Sequence, residues 1–383
     1  MSNLLKIELP SIISMNFLID GRAFEGRDQR GIQRYYREIF SRCNPYSRIE
    51  MYIRSKLGTD LPINVHLTEV LECFPLNRLD FSGRAISKAR RLLMPTRLPQ
   101  ADLYHSTYFT PNPRPALPEV VTIHDMIPEV IPYYYGYGAA EELAKKRKSI
   151  LAATKIIAIS HATAKDLKSI YPEVEDRIEV IHHGGQHFPK VTTEELGAKN
   201  PRSEPYVLFV GQKGAYKNFS TLLDAAVDLG WPKEVSVVVA GEPFSEAERA
   251  AIRFRGLEGK FRSVVHPSDS ELRGLYIGAS AFVFPSLLEG FGFPLLEAQA
   301  LGVPVVASDT RVFHEVAGKG FIPVRPLDYS SIAEGVSKSL ESSVSTSLIS
   351  SGLENVDRFS WDVCAEETFR VWSETAREGV RIS

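Results

Sequence analysis

The stretch SLLEGFGFPLLEAQALGVPVV, residues 286–306, sets two glutamates, Glu289 and Glu297, on either side of a Gly-Phe-Gly-Phe-Pro run. It reads as strand, turn and helix. AFVFPS ends an apolar run, Glu289-Gly290-Phe291-Gly292 makes a tight turn, and Pro294 suits the first position of a helix that stops near Gly302. The start of such a helix leaves backbone N–H groups without partners and carries the positive end of the helix dipole. An anion, most simply a phosphate, is favoured there, and Gly290 and Gly292 let it approach the backbone. Carboxylates repel a phosphate, so Glu289 in the turn and Glu297 in the first helical turn are expected to accept hydrogen bonds from neighbouring hydroxyls. A ligand with a pyrophosphate in the middle, a ribose at one end and a hexose at the other meets all these demands. The plain alternative is a structural corner with both glutamates solvated. A dinucleotide-binding glycine fingerprint fails at Leu295, where its third glycine should stand.

Working outward, short apolar runs recur between longer helical patterns, the signature of parallel βα units. One series holds MNFLID (15–20), LYHS (103–106), VVTIH (120–124), IIAIS (156–160) and IEVIH (178–182). A second holds YVLFV (206–210), VSVVVA (235–240), SVVH (263–266), AFVFP (281–285) and PVVAS (304–308). The Gly-, Pro- and polar-rich segment 184–205 suits a connection between them. The length of 383 residues also exceeds what one core usually organises. The expected class is therefore α/β, with two doubly wound parallel-sheet domains facing across a cleft and ligands beyond the carboxyl ends of the strands. The expected divisions are 1–190, 191–360 and a last helix, 361–383, capped by Ser360 and packing back toward the first domain.

Composition narrows the function classes. Hydrophobic residues at 44% and charged residues at 24% belong to a folded globular chain. A net charge of -2 gives no global reason for nucleic-acid binding. Three scattered cysteines, Cys43, Cys73 and Cys364, make neither a disulfide framework nor a zinc knuckle and fit a reducing cytoplasm. Lys6 and Glu8 interrupt the first apolar stretch, against a signal peptide, and no run of 18 apolar residues suggests a spanning helix.

Glu289-GFGFPLL-Glu297 resembles the E-x7-E motif of the family 4 retaining glycosyltransferases. The resemblance extends over most of the chain, through MNFLIDGRAF, GIQRYYREI, IHDMIPE, AISHATAKDL, LFVGQKGAYKNFSTLL, PVVASDTRVFHEVAG and RFSWDVCAEETF. It implies the GT-B fold, two Rossmann-like domains with the donor held mainly by the second. Donor-binding positions are then Gly290, Phe291, Gly292, Phe293 and Glu297, with Glu289 orienting the donor sugar and Glu297 the ribose.

LFVGQKGAYKNFSTLL sets Gly211 at a strand end, Lys213 and Lys217 in the following loop, and Asn218 or Ser220 where a helix could be capped. Two cations at one strand end suit a diphosphate whose negative charge grows as the sugar bond breaks. The pair is similar to the family's Arg and Lys, with Lys213 in place of the arginine and its two-pronged grip. The resemblance further implies Gly31 against the donor phosphates, and Val265 and His266 beside the base. His124, at the end of VVTIH, would face the cleft and meet a sugar or acceptor hydroxyl; outside the family context, a lone histidine at a strand end is structural. Ser160 and Thr163 are read as a helix cap, with Lys165 near donor or acceptor. His182-His183 is the material of a metal site without a suitably spaced partner, and is read as interdomain packing.

The resemblance implies transfer of a hexosyl group to a saccharide or lipid-linked saccharide hydroxyl with retained configuration, in polysaccharide biosynthesis. The expected donor is of GDP-mannose or UDP-glucose type, with no cofactor and no metal. A cytoplasmic enzyme is expected, and the basic stretch 82–97, with Arg84, Lys88, Arg91 and Arg97, is either a solvated helix face or a contact with the inner surface of an anionic membrane. A nucleotide-sugar epimerase of the same architecture and a silent sugar-nucleotide-binding module are the alternatives.

Overall fold

The computed structural model describes residues 15–24, 30–43, 47–53, 65–69, 98–134, 140–185, 187–197 and 204–382. The basic stretch 84–97 lies outside them. Two fully parallel sheets organise the chain. The first runs β3-β2-β1-β4-β5-β6-β7, with β1 Asn16–Asp20, β2 Arg48–Ile53, β3 Val65–Glu69, β4 Leu103–Ser106, β5 Glu119–Ile123, β6 Lys155–Ala158 and β7 Ile178–Val180. The second runs β10-β9-β8-β11-β12-β13, with β8 Tyr206–Val210, β9 Ser236–Gly241, β10 Phe261–Val265, β11 Ala281–Phe284, β12 Val305–Ser308 and β13 Ile322–Val324. These are the two doubly wound α/β domains expected.

The central strands are buried along their whole length, as in LYHS of β4 and AFVF of β11, because helices cover both faces of a parallel sheet. Strands β2, β3 and β13 were not anticipated. Arg48 and Glu50 interrupt the apolar character of β2, β3 is a sheet edge, and β13 is three residues long with Pro323 inside it.

In each sheet the order reverses beside its first strand, between β1 and β4 in one and between β8 and β11 in the other. Such a switch point opens a crevice at the carboxyl ends of the strands. The two crevices meet, because the Gly290 turn after β11 packs on the residues that follow β5 and β6.

The last helix, Trp361–Ile382, belongs to the first domain's core. Trp372 is fully buried, with its ring 5.1 Å from Phe17 of β1 and 4.9 Å from His105 of β4. The chain thus crosses between domains twice, and the crossings are tightly packed. A Cβ on Gly184 would lie 2.3 Å from the Trp361 ring, and one on Gly185 would lie 2.8 Å from Leu296. No helix among the described residues is long and apolar enough to span a membrane.

Candidate active site

The helix Phe293–Ala300 begins where the sequence places it. Gly292 stands at its N-cap with φ +102°, a conformation that favours glycine, and no side chain caps it. Pro294 has no N–H and Leu295 N already donates to Gly292 O at 3.0 Å, so the donors this helix start offers a ligand are the Gly292 and Phe293 N–H groups. In the turn before it, Lys217 Nζ donates to Glu289 Oε1 at 2.5 Å, with both side chains largely buried. The loop after β8 thereby joins the end of β11, and Leu287 N donating to Tyr216 O at 2.8 Å ties the same two segments.

Asn218 is the N-cap of the Phe219–Ala225 helix by position only. It adopts φ 59°, its side chain makes no cap bond, and its Nδ2 donates to Pro285 O at 3.1 Å. Its work is to fasten the Lys217 loop to β11. Gly211, with φ +120°, has open space where a Cβ would stand, and its carbonyl comes so close to Gly241 that a Cβ there would lie 2.6 Å away. Val265 and His266 are half-exposed at the end of β10, and His266 has φ 46°. Ser286 and Ser308, at the ends of β11 and β12, are fully buried with hydroxyls that have no partner among the described residues.

Two placements, those of Lys213 and Glu297, differ from the sequence reading. Lys213 does not join Lys217 on Glu289. Its side chain is buried, its ammonium donates to Glu242 O at 2.8 Å and Pro243 O at 3.3 Å, and it lies over the Phe244 ring. It pins the loop after β8 to the loop after β9. Glu297 is the fifth residue of its helix, one turn in from the mouth, and only 3% exposed. Its two oxygens accept from Arg34 Nη1 at 2.8 Å and Tyr276 OH at 2.9 Å, so it holds an ion pair between the domains. Gly31 lies in the first turn of the Arg30–Ser41 helix, with a Cβ position 3.9 Å from the Phe293 ring.

His124 follows β5 and meets the second domain through its backbone. A Cβ added to Gly290 would stand 1.8 Å from the His124 carbonyl oxygen, so only glycine fits that contact. The Gly290 carbonyl in turn accepts from Ser160 Oγ at 2.7 Å and Thr163 Oγ1 at 3.2 Å. Ser160 also caps the His161–Ile170 helix by accepting from Thr163 N, as the sequence indicates. The His124 ring packs edge-on to Tyr35 and near His183, and its Nε2 is buried without a partner among the described residues. Burial, with Lys146 adding to it and Asp125 opposing, lowers its pKa to about 4, so the ring is a neutral imidazole at working pH.

His183 stacks on Phe293 with centroids 5.1 Å apart and planes 10° from parallel, which makes it interdomain packing. His182 is different, because its Nε2 lies 2.6 Å from Glu315 Oε1 of the second domain. Sequence spacing could not reveal that partner, 133 residues away. Arg34 and Tyr276 were also missed. An arginine three residues beyond Gly31 in one helix was the available signal for the first; Tyr276 lies buried in the Asp269–Gly278 helix, where an aromatic reads as core.

Two Rossmann-like domains facing across paired switch points, with a helix mouth, a lysine and two acids on one side, define a GT-B glycosyltransferase. Comparison with known proteins agrees. Residues 30–184 match the family described as Glycosyltransferase Family 4, and residues 192–350 match Glycosyl transferases group 1. The chain is 27% identical over 301 residues to O-antigen chain mannosyltransferase B of Escherichia coli, covering 74% of this chain and 79% of that protein. It is 25% identical over 239 residues to GDP-mannose:cellobiosyl-diphosphopolyprenol alpha-mannosyltransferase of Komagataeibacter xylinus, covering 59% of this chain and 58% of that one. Sucrose-phosphate synthase from Thermosynechococcus elongatus shares the fold, with a TM-score of 0.70 at 18% identity over 94% of this chain and 98% of that chain. The chain belongs to the family 4, group 1 glycosyltransferases.

Proposed function

We propose that this glycosyltransferase moves a mannosyl group from GDP-mannose to a hydroxyl of a saccharide carried on a lipid diphosphate, with retained anomeric configuration. The mannosyltransferase relatives and the GDP-mannose and diphosphopolyprenol named for the Komagataeibacter protein support the choice of donor and acceptor. The observation that carries the reading is the Lys217–Glu289 pair beside the uncapped helix start at Gly292, at the switch point of the second sheet. The donor diphosphate lies against that helix start and draws on Lys217, leaving Glu289 to accept from hexose hydroxyls. Gly211, Val265 and His266 line the nucleotide side, Phe291 and Phe293 wall the turn, and Lys213 holds the β8 loop in shape. Glu297 reaches the ribose only by sharing its carboxylate with Arg34.

In the transfer, the bond from C1 to the diphosphate oxygen breaks and the nucleoside diphosphate leaves with the electron pair. The acceptor oxygen bonds to C1 on the same face and gives its proton to that departing oxygen. Lys217 and the helix dipole stabilise the growing charge, so no divalent ion is needed. His124, as a neutral imidazole, hydrogen-bonds a sugar hydroxyl. Peripheral contact with an anionic membrane through residues 84–97 would bring the enzyme to a lipid-linked acceptor. The deciding experiment measures GDP release and mannosyl product from GDP-mannose, with UDP-glucose in a parallel arm, both in chelator. Turnover only with UDP-glucose overturns the donor assignment, and dependence on added magnesium overturns the metal-free mechanism.

A further inference from the structure

His161, His182 and Glu315 come together beside the catalytic cleft from three separate elements. His161 opens the His161–Ile170 helix, His182 follows β7, and Glu315 lies on the Arg311–Ala317 helix of the second domain. One ligand atom from each lies within 4.8 Å of the others. We propose that these residues form a zinc-type divalent metal site that staples the two domains together.

The donor set is right for such an ion, since two imidazoles and a carboxylate are typical three-ligand partners of zinc, with water in the fourth position. Bonds of roughly 2.0–2.2 Å place tetrahedral ligand atoms about 3.3 Å apart, so small side-chain rotations close the site. The carboxylate is already oriented. Glu315 Oε1 accepts from His161 N at 2.6 Å, and Oε2 accepts from Ala162 N at 2.9 Å. Backbone donors that fix a carboxylate do for it what outer-shell partners do for ligands in metal proteins. An ion can also reach the cluster, because His161 is exposed while His182 and Glu315 are only partly buried. On binding, His182 Nε2 exchanges its contact with Glu315 for the metal, and any proton it carries goes to solvent. Since two ligands belong to one domain and the third to the other, the ion binds the closed arrangement and favours it by mass action. It takes no part in sugar transfer, which remains the work of Lys217 and the helix at Gly292.

The test is equilibrium dialysis and titration calorimetry of the metal-stripped full chain with zinc chloride, without donor or acceptor. Wild type should take up one equivalent, and cobalt(II) in its place should give the visible absorption of a tetrahedral site. His161→Ala removes one ligand yet keeps the backbone N–H that holds Glu315, so it should fold normally and bind at least tenfold more weakly. His182→Ala should show the same loss, and His314→Ala, on the same helix as Glu315, should bind as wild type does. No uptake by wild type, or uptake unchanged in His161→Ala, overturns the site. Because no sugar is present, failure here leaves the transfer reading untouched, and a failed transfer assay leaves this one standing.

Discussion

The two switch points of this molecule solve opposite problems. At the second sheet, the groups at the strand ends are left ready for a ligand: a helix start at Gly292 without a side-chain cap, a lysine whose ion pair among the described residues is with Glu289, and the buried hydroxyls of Ser286 and Ser308 without partners among those residues. At the first sheet, the Asp20 end of β1 is satisfied from within, while the buried Nε2 of His124 and Nδ1 of His105 have no partner among the described residues. Asp20 is buried and accepts from Thr107 N and Thr107 Oγ1 at 2.7 Å and from Arg22 N at 2.9 Å, while His105 Nε2 bonds the Tyr36 hydroxyl at 3.1 Å. One crevice is built to hold a changing charge. The other is built to hold a shape against it, with the neutral His124 at the contact.

That contrast is most open to attack at Lys217. Replacing it with alanine should lower kcat/KM by about 10²–10³-fold, because the departing diphosphate loses a positioned cation. Lys217→Arg should restore part of the rate. A Lys217→Ala enzyme within a few-fold of wild type would mean that the second crevice does not stabilise charge. The first crevice should respond differently. His124→Ala should lower kcat by about 10²-fold with little change in donor affinity, as for a group that acts during transfer and not in donor capture. Should calorimetry show His124→Ala weakening donor binding as strongly as Lys217→Ala does, the division of labour is gone.

The contact between the crevices gives a smaller effect with a sharper signature. In Gly290→Ala the new methyl group meets the His124 carbonyl, so the domains cannot approach as they do here, while each domain's own core is unchanged. Turnover should fall about tenfold, since closure must exclude water and complete the site. Melting temperature should move little, and small-angle scattering should show a more open average shape. For Glu297→Ala, loss of the acid shared by Arg34 and Tyr276 should raise the donor KM several-fold and lower stability by about 1–3 kcal/mol, because a buried tyrosine hydroxyl is left without its acceptor. An unchanged melting temperature would show that the interdomain ion pair carries no weight.

The second domain's half of the site was legible because its chemistry is contiguous. Residues 286–306 contain strand, turn, helix start and both acids, and one further loop supplies the lysine. The doubly wound class was legible for the same kind of reason, since fully buried parallel strands leave unbroken apolar runs. Side-chain direction was not. Lys213 and Lys217 are four residues apart, yet one serves the loop after β9 and the other Glu289, and only the path of the chain decides which. Nor could any spacing rule pair Arg34 with Glu297 or His182 with Glu315, because those contacts exist only once two separately folded sheets face each other.

The smallest effect tests whether the first crevice is held together by neutral histidines. Burial keeps His105 and His183 uncharged, lowering His105 to about 3 and His183 well below its ordinary value, and brings the less enclosed His124 to about 4. In the unfolded chain all three titrate near 6.5. Below that pH the unfolded state therefore binds protons that the folded state refuses, and stability, complete above about pH 6.5, is lost on acidification toward pH 4 and then 3. Each fully buried ring contributes a slope of up to about 1.4 kcal/mol per pH unit. Glu119 acts in the opposite sense, since burial, with the charge of Asp20 adding to it, pushes its carboxyl up to about 7 and removes stability as pH rises from 4.5. Asp20, also raised by burial, pulls the same way as Glu119, and the three rings outweigh these two acids, so melting temperature should fall from pH 7 to pH 5. His124→Asn should make the fall shallower by more than a third, because the three rings contribute almost equally above pH 5 and the buried acids already subtract from their sum, whereas Lys217→Ala should leave the slope as it is. A flat profile in wild type would place protonated histidines in the folded first domain, and the shape-holding account of that crevice would go with it.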